Sequence, residues 1–365
     1  RDSYHVLNRH PELMADLTFA PWVDMEAFMR RRRLSLCGLG TGLVAGEFDV
    51  VGFSLQHELQ YTNVLAMLDL AGIPLKSWER TDGEPIVIAG GPCAYNPEPM
   101  ADFIDAFVVG DGESPIVEIG EVIARAKAKS SRSKLLEKLA EIDGVYVPHL
   151  DNGKSRRIVR RLEKELRDED FPIPPIVPVA PITHDRLTLE IMRGCTHGCR
   201  FCSAGMVTRP IRLRSVDSIL SLAQAGIEST GWEEISLISL SSSDYPDIGN
   251  LVKQLTTRLH EQRVSISLPS MRPGTFTEEM ADLISSTKRT GLTFAPEAGS
   301  DRLRRRINKV IEEEELLASI ETAFRKGWDG IKLYFMVGLP GEDMSDINEL
   351  IRVVRSVEAI CRVYG

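Results

Sequence analysis

The chain has 365 residues, 43% of them hydrophobic and 27% charged, enough to bury at least one large core, and two domains are the natural expectation at this length. A formal net charge of -9 argues against a broad nucleic-acid surface, though a local patch is compatible with it. No apolar run reaches the ~18 residues a membrane helix needs and no signal-peptide pattern opens the chain, so a cytoplasmic protein is expected.

The chain opens at Arg1 rather than Met, as a piece of a longer protein would. Residues 1–33 read as helix and connector, with Asp24 as the cap of a helix through Met25–Met29 that ends in the basic run Arg30 to Arg33. Such a run suits a solvated helix end, and less often a nucleic-acid patch. Short apolar runs then alternate with helices: strands at 49–55, 85–91 and 106–110, and helices at 63–70 and 114–127. This is the pattern of a doubly wound, Rossmann-type α/β domain, in which ligands sit beyond the carboxyl ends of the strands. Ser54, Gly90, Gly91, Gly110 and Gly112 stand at those ends. Tight turns alone would also require the glycines.

From Ser133 to Ile142 a charged helix is expected, and Gly144–Pro148 could form a small hairpin with Ile158–Leu162. Five prolines between Pro172 and Pro181 exclude helix and central strand, and mark a stiff linker. The expected division is therefore an α/β domain over 1–130, a connector over 131–182 and a second domain over 183–365.

Directly after the apolar run Leu187–Met192, three of the six cysteines fall within eight positions, as Cys195-x3-Cys199-x2-Cys202. Gly194 and Gly198 let such a loop wrap three thiolates around one face of a cubane, leaving an iron free for a small-molecule chelate. Zinc prefers four closed ligands, commonly as two pairs, and Cys37, Cys93 and Cys361 stand alone; His197 could be a fourth ligand only by folding back between two of the cysteines. After this loop the chain repeats strand then helix, with strands at 187–192, 234–240, 264–268, 290–295 and 330–337 and helices near 215–229, 247–262, 277–287, 312–326 and 343–361. Five such units describe most of an open, TIM-like (β/α)6 partial barrel, with the sixth strand expected beyond Gly365. Polar or flexible residues end these strands: Ser241-Ser242-Ser243-Asp244, Ser270-Met271-Arg272-Pro273, Glu297-Ala298-Gly299-Ser300 and Gly338-Leu339-Pro340-Gly341-Glu342.

The cysteine loop, with Phe201 in the aromatic position of Cys-x3-Cys-x-aromatic-Cys, resembles the signature of the radical S-adenosylmethionine (radical SAM) superfamily. Asn96-Pro97-Glu98-Pro99, Val108–Glu113 and Phe294–Ser300 extend the likeness to radical SAM proteins with an N-terminal cobalamin-binding-like domain. The resemblance implies a 4Fe-4S cluster on Cys195, Cys199 and Cys202 that reduces bound S-adenosylmethionine to a 5'-deoxyadenosyl radical, which abstracts hydrogen from a substrate. It implies that Ser241, Ser242 and Ser243 meet the methionine amino group, that Glu297 receives the ribose hydroxyls, and that Gly338 and Gly341 pass under the adenine. Lys332 and Arg272 become candidates for the methionine carboxylate, or for ordinary ion pairs. Cobalamin is a candidate at Ser54, Gly90, Gly91, Gly110 and Gly112, although the Asp-x-His-x-x-Gly loop that carries a lower ligand is absent and His57 is the sole nearby imidazole. The segment Asp301–Lys309 resembles that of the methylthiotransferases and could approach nucleic acid or form a charged helix face. Methyl or methylthio transfer, with an electron donor such as flavodoxin or ferredoxin, is the activity so implied. The alternative is a cluster-bearing or zinc-bearing RNA-binding or scaffold protein without turnover.

Overall fold

Four strands of the N-terminal half lie side by side in chain order in the computed structural model, which describes residues 2–126, 131–151, 157–180, 182–269, 271–285 and 291–364. Contacts divide the chain into two units, Arg1–Pro172 and Ile173–Gly365, so that the boundary falls within the proline tract. The expected helix end at Lys127, the 286–287 end of another helix, the strand start at Thr290, and Ser270 lie outside the described residues.

The first unit runs α1 (Asp2–Arg9), α2 (Val23–Arg32), β1 (Val50–Ser54), α3 (Tyr61–Leu70), β2 (Ile86–Gly90), β3 (Ala106–Val108), α4 (Glu113–Ala126), α5 (Arg132–Leu139) and β4 (Val145–Tyr146). β1, β2 and β3 are parallel, and β4 adds antiparallel to β3. Strand side chains alternate between faces. Val87, Ala89, Phe107 and Val109 pack with Val64 and Leu68 of α3, whereas Ile86, Ile88, Ala106 and Val108 pack with Ile119 and Ile123 of α4 and Leu136 and Leu139 of α5. Burial on both faces is what makes these strands continuous apolar runs. The buried carboxylate of Asp105, just before β3, is held by Arg80 at 2.9 Å and Arg132 at 2.6 Å, and accepts from the Val87 amide at 2.7 Å.

Two local expectations are corrected. Asp24 lies inside the first turn of α2, whose N-cap is Trp22 without a side-chain hydrogen bond; its carboxylate instead accepts from the Met25 amide at 2.8 Å. Gly144–Pro148 does not pair with 158–162. Val145 and Tyr146 pair with β3, where the buried Phe107 and Tyr146 rings stack, and the later segment bonds to the residues that follow β3, beside Gly144. There the Arg161 amide donates to Val109 O at 2.8 Å and the Asp111 amide donates to Arg161 O at 3.1 Å.

The second unit runs β5 (Leu187–Glu190), β6 (Met192–Arg193), α6 (Ala204–Val207), β7 (Arg212–Leu213), α7 (Val216–Thr230), β8 (Glu234–Ile238), α8 (Ile248–Arg258), β9 (Ser265–Ser267), α9 (Glu278–Ser285), β10 (Leu292–Glu297), α10 (Asp301–Arg306), α11 (Glu313–Arg325), β11 (Ile331–Phe335) and α12 (Met344–Tyr364). Strands and helices alternate as expected, but the described strands form two parallel runs, β5-β8-β9 and β10-β11, rather than one continuous barrel wall. The strand expected over 187–192 stops at Glu190. Ile191 still donates to Ile238 O at 3.1 Å, while Met192 and Arg193 turn to pair antiparallel with β7. That turn delivers the chain into the cysteine loop. Among the described residues no helix is long and apolar enough to cross a membrane.

Candidate metal centre

Cys195, Cys199 and Cys202 follow β6 directly, and all three are free thiols. Gly194 opens the loop at φ +98°, where an added Cβ would lie 2.9 Å from the carbonyls of Thr208 and Pro210, so only glycine fits. Cys195 is buried and the other two are half-buried. Gly205 in α6 lies beside them, where a Cβ would come 3.3 Å from His197 O and into ordinary contact with Cys202 Sγ and the Cys195 Cβ.

The loop is tied down from several sides. Arg209 donates from Nε to Cys195 O at 3.2 Å and from its Nη2 to His197 O at 3.2 Å. His197 Nε2 meets Asp244 Oδ2 at 2.5 Å, which joins the loop to the turn after β8. Asn308 Nδ2 donates to Gly198 O at 2.8 Å and the Arg200 amide donates to Ile307 O at 2.9 Å, which joins it to the segment after α10. Lys309 Nζ sits 5.9 Å from the centre of the Phe201 ring. Burial pushes the Cys199 thiol pKa up, as do Cys202 and Cys195, while the charges of Lys309 and Arg272 pull it down.

The turn Ser241–Asp244 is built on serine hydroxyls. Ser242, fully buried, donates to Leu237 O at 3.1 Å, and Ser243 Oγ accepts from the Arg272 amide at 3.2 Å. Ser241 is 4% exposed, and its hydroxyl has no hydrogen-bond partner among the described residues. A buried orphan hydroxyl costs about 1–3 kcal/mol, which a polar ligand would recover. The Arg272 guanidinium donates to Val310 O at 2.9 Å.

Glu297 ends β10 after a bulge, with φ +68°, a left-handed conformation rare for a residue with a side chain. Its carbonyl accepts from the Met336 amide at 2.8 Å and its carboxylate from Lys309 Nζ at 2.8 Å. The carboxylate therefore has a structural partner that sequence alone did not supply. Gly338 and Gly341 both carry positive φ, and the Arg306 guanidinium lies so close to Gly341 that a Cβ would be 2.6 Å from its Cζ. Lys332 is exposed on the side of β11 opposite the buried face of Leu292 and Phe294, and among the described residues no hydrogen bond or ion pair brings it to the cysteine loop. Hydrogen bonds, an ion pair and close packing therefore connect Ser243, Arg272, Phe201, Glu297 and Gly341 with the cysteine loop through residues 197, 244 and 306–310, but leave Lys332 apart. His197, Asp244, Asn308 and Lys309 were missed as site residues: His197 drew attention only as a zinc ligand, and Lys309 only as the end of a basic run.

In the first unit, each loop flagged for cobalamin is described by itself. Ser54 Oγ accepts from Gln56 Nε2 at 2.8 Å. A Cβ at Gly91 would lie 2.8 Å from Leu55 O, and one at Gly110 would lie 2.1 Å from Arg161 O. Gly90 faces Val108 at ordinary contact, and Gly112 alone is open. Gly91 and Gly110 thus sit in tight turns closed over by Leu55 and Arg161, whereas Gly112 faces open space.

Two family models match the chain, "Radical SAM proteins, N-terminal" over residues 2–148 and "Radical SAM superfamily" over residues 189–354. An uncharacterised protein of Methanocaldococcus jannaschii, MJ0966, is 33% identical over 312 residues, 85% of this chain and 63% of that protein. The ribosomal protein uS12 methylthiotransferase RimO of Desulfotalea psychrophila is 28% identical over 265 residues, 66% of this chain and 57% of its own. The chain therefore spans about three-fifths of the length of these curated relatives. The methyltransferase TsrM of Kitasatospora setae, solved with cobalamin and a [4Fe-4S] cluster, matches 98% of this chain and 70% of its own with a TM-score of 0.67 at 15% identity. The cobalamin-dependent enzyme OxsB matches 84% of this chain and 43% of its own with a TM-score of 0.61 at 18% identity. At such identity the structural likeness carries the fold alone. The chain belongs to the radical SAM superfamily.

The family implies a 4Fe-4S cluster and S-adenosylmethionine, a reductant and a substrate. The residues present fit the first two: three free thiols on one loop, cationic side chains beside them, and a buried hydroxyl on the adjoining turn with no partner among the described residues. Among the described residues no three His, Cys, Asp or Glu side chains converge on a single ion. Thiolates that each bind a different iron of a cubane need not converge.

Proposed function

We propose that this chain is a radical SAM enzyme in which Cys195, Cys199 and Cys202 hold a 4Fe-4S cluster with one iron left for S-adenosylmethionine. The observation that supports this most is the enclosure of three free thiols by His197–Asp244 on one side and Ile307–Lys309 on the other. When bound, the cluster supplies the electron for reductive cleavage of the sulfonium, and with it hydrogen abstraction from a substrate.

The chain's own residues bind and orient. The Ser241–Ser243 turn and Arg272 would take the polar methionine end, with the Ser241 hydroxyl gaining the partner it lacks. Glu297 would accept from the ribose hydroxyls through the oxygen that Lys309 leaves free, and Gly338 and Gly341 would lie along the base. Lys332 is the weaker candidate for the methionine carboxylate, for the reason of placement given above. Methyl or methylthio transfer is the reaction class we favour, after the activities that name RimO and TsrM. A low-potential protein such as flavodoxin or ferredoxin would be the donor, in the cytoplasm. Cobalamin is a candidate by likeness of fold, and no step is derived through it.

Anaerobic reconstitution with iron and sulfide, then dithionite and S-adenosylmethionine, should yield 5'-deoxyadenosine on chromatography, and Cys199→Ala should abolish it. A fully loaded cluster that yields none would remove the enzyme reading. One zinc and no sulfide would favour the binding-module alternative.

A further inference from the structure

Glu297 combines two unusual features. Its backbone is left-handed at φ +68°, and its carboxylate, with 14% of the side chain exposed, is paired at 2.8 Å with a lysine whose side chain is 15% exposed. A residue other than glycine adopts this conformation at a cost of about 1 kcal/mol or more and keeps it only where its surroundings hold it. Lys309 is held as firmly. Asn308 before it also has positive φ, the Lys309 amide donates to Arg304 O at 2.9 Å, and Arg304, 1% exposed, donates to Ala298 O and Gly299 O at 3.1 and 3.0 Å. The same segment is docked on the cysteine loop through Gly198 O and the Arg200 amide. The ammonium consequently lies against Phe201, two residues from Cys199 and one from Cys202, while bonded to Glu297.

We propose that the Lys309–Glu297 pair is a charge couple that sets the reduction potential of the cluster bound at Cys195, Cys199 and Cys202. This rests on the cluster reading above and adds to it two residues with opposite, measurable effects. A cubane on three thiolates is anionic and becomes more so on reduction, so a nearby cation favours the reduced form and a nearby carboxylate opposes it. Lys309 faces Glu297 and Phe201, and the segment that carries it is bonded to the cysteine loop at Gly198 and Arg200. Removing the lysine deletes the cation and leaves the half-buried carboxylate uncompensated, so both consequences disfavour reduction. Removing the carboxylate charge leaves the cation unopposed and favours it. The ion pair would thereby also connect the ribose site to the cluster, since a hydrogen bond accepted by Glu297 draws on the same charge that Lys309 neutralises.

The test is a redox titration of the reconstituted full chain followed by electron paramagnetic resonance, with iron and sulfide assayed on each sample. At a fixed poise, Lys309→Gln should lower the reduced-to-oxidised ratio roughly tenfold, a shift of about 59 mV for a one-electron couple. Glu297→Gln should raise the ratio, and the double variant should return toward wild type. Full cluster loading with unchanged potentials in both single variants overturns the inference and leaves the cluster reading intact. Shifts of the same sign in all three variants overturn it too, because that is the signature of a disturbed loop. A wild-type chain that takes up no iron and sulfide overturns the cluster reading itself, and this inference with it.

Discussion

The buried hydroxyl of Ser241 gives a prediction that separates folding from binding. Ser241→Ala removes an unsatisfied polar group whose burial costs about 1–3 kcal/mol, so the ligand-free variant should unfold no earlier than wild type in a thermal melt. The same change should weaken S-adenosylmethionine binding roughly tenfold, or about 1.4 kcal/mol, in equilibrium dialysis. A less stable variant with unchanged binding would show that the hydroxyl serves the fold. Asp16 makes a second prediction at this scale. Burial opposes its charge, yet hydrogen bonds from the Thr41 hydroxyl and amide and from the Gly40 and Leu17 amides prevail and hold its pKa at about 2, below the ordinary carboxylate range. A depressed folded-state value means a contribution to stability present above the unfolded value and lost as pH falls toward about 2. Asp16→Asn should therefore cost more stability near pH 6 than near pH 2 in urea unfolding. Equal losses at both would contradict the assignment. The cysteines were legible because their density admits few explanations. The His197–Asp244 and Lys309–Glu297 pairs were not, because their partners stand 47 and 12 residues apart and each residue alone is an ordinary polar side chain.

At the scale of elements, the β strands announced themselves as short apolar runs because helices cover both faces of the first sheet. The break of the cysteine-bearing strand at Glu190 left no such mark, since Ile191 and Met192 are both buried and continue the apolar pattern. The segment 158–162, a strap that bridges to Gly110 rather than to Gly144–Pro148, left no mark for a related reason. It bonds to the β3 end through backbone groups at Val109, Gly110 and Asp111, and backbone pairing carries no side-chain signature. Its fixed point can be tested. Gly110→Ala places a Cβ 2.1 Å from Arg161 O at φ +113°, and should cost at least roughly 1–3 kcal/mol in urea unfolding. Gly112→Ala, with nothing within 4 Å, should stay within about 0.5 kcal/mol of wild type. Equal effects would mean that the glycines of this loop serve something other than the strap.

Across the whole molecule, the order of the two halves was readable from the change in pattern on either side of the proline tract, and the family models cover both halves. The division of the described strands into β5-β8-β9 and β10-β11 was not readable, since the same alternation of strand and helix precedes and follows it. Nor did any motif name a substrate, because the cofactors that this family implies carry the difficult chemistry and the protein chiefly orients them. The fold as described serves one arrangement: three thiols on a loop leaving a parallel sheet, with polar turns from β8, β9, β10 and β11 brought to it by side-chain and backbone bonds.

The most direct measurement is the electron paramagnetic resonance spectrum of the reconstituted, dithionite-reduced chain before and after S-adenosylmethionine, with iron and sulfide assayed on the same samples. The account predicts a 4Fe-4S signal that changes on addition, because the iron without a cysteine takes the ligand, and its loss in Cys199→Ala. A fully loaded cluster whose spectrum does not respond to S-adenosylmethionine would contradict it.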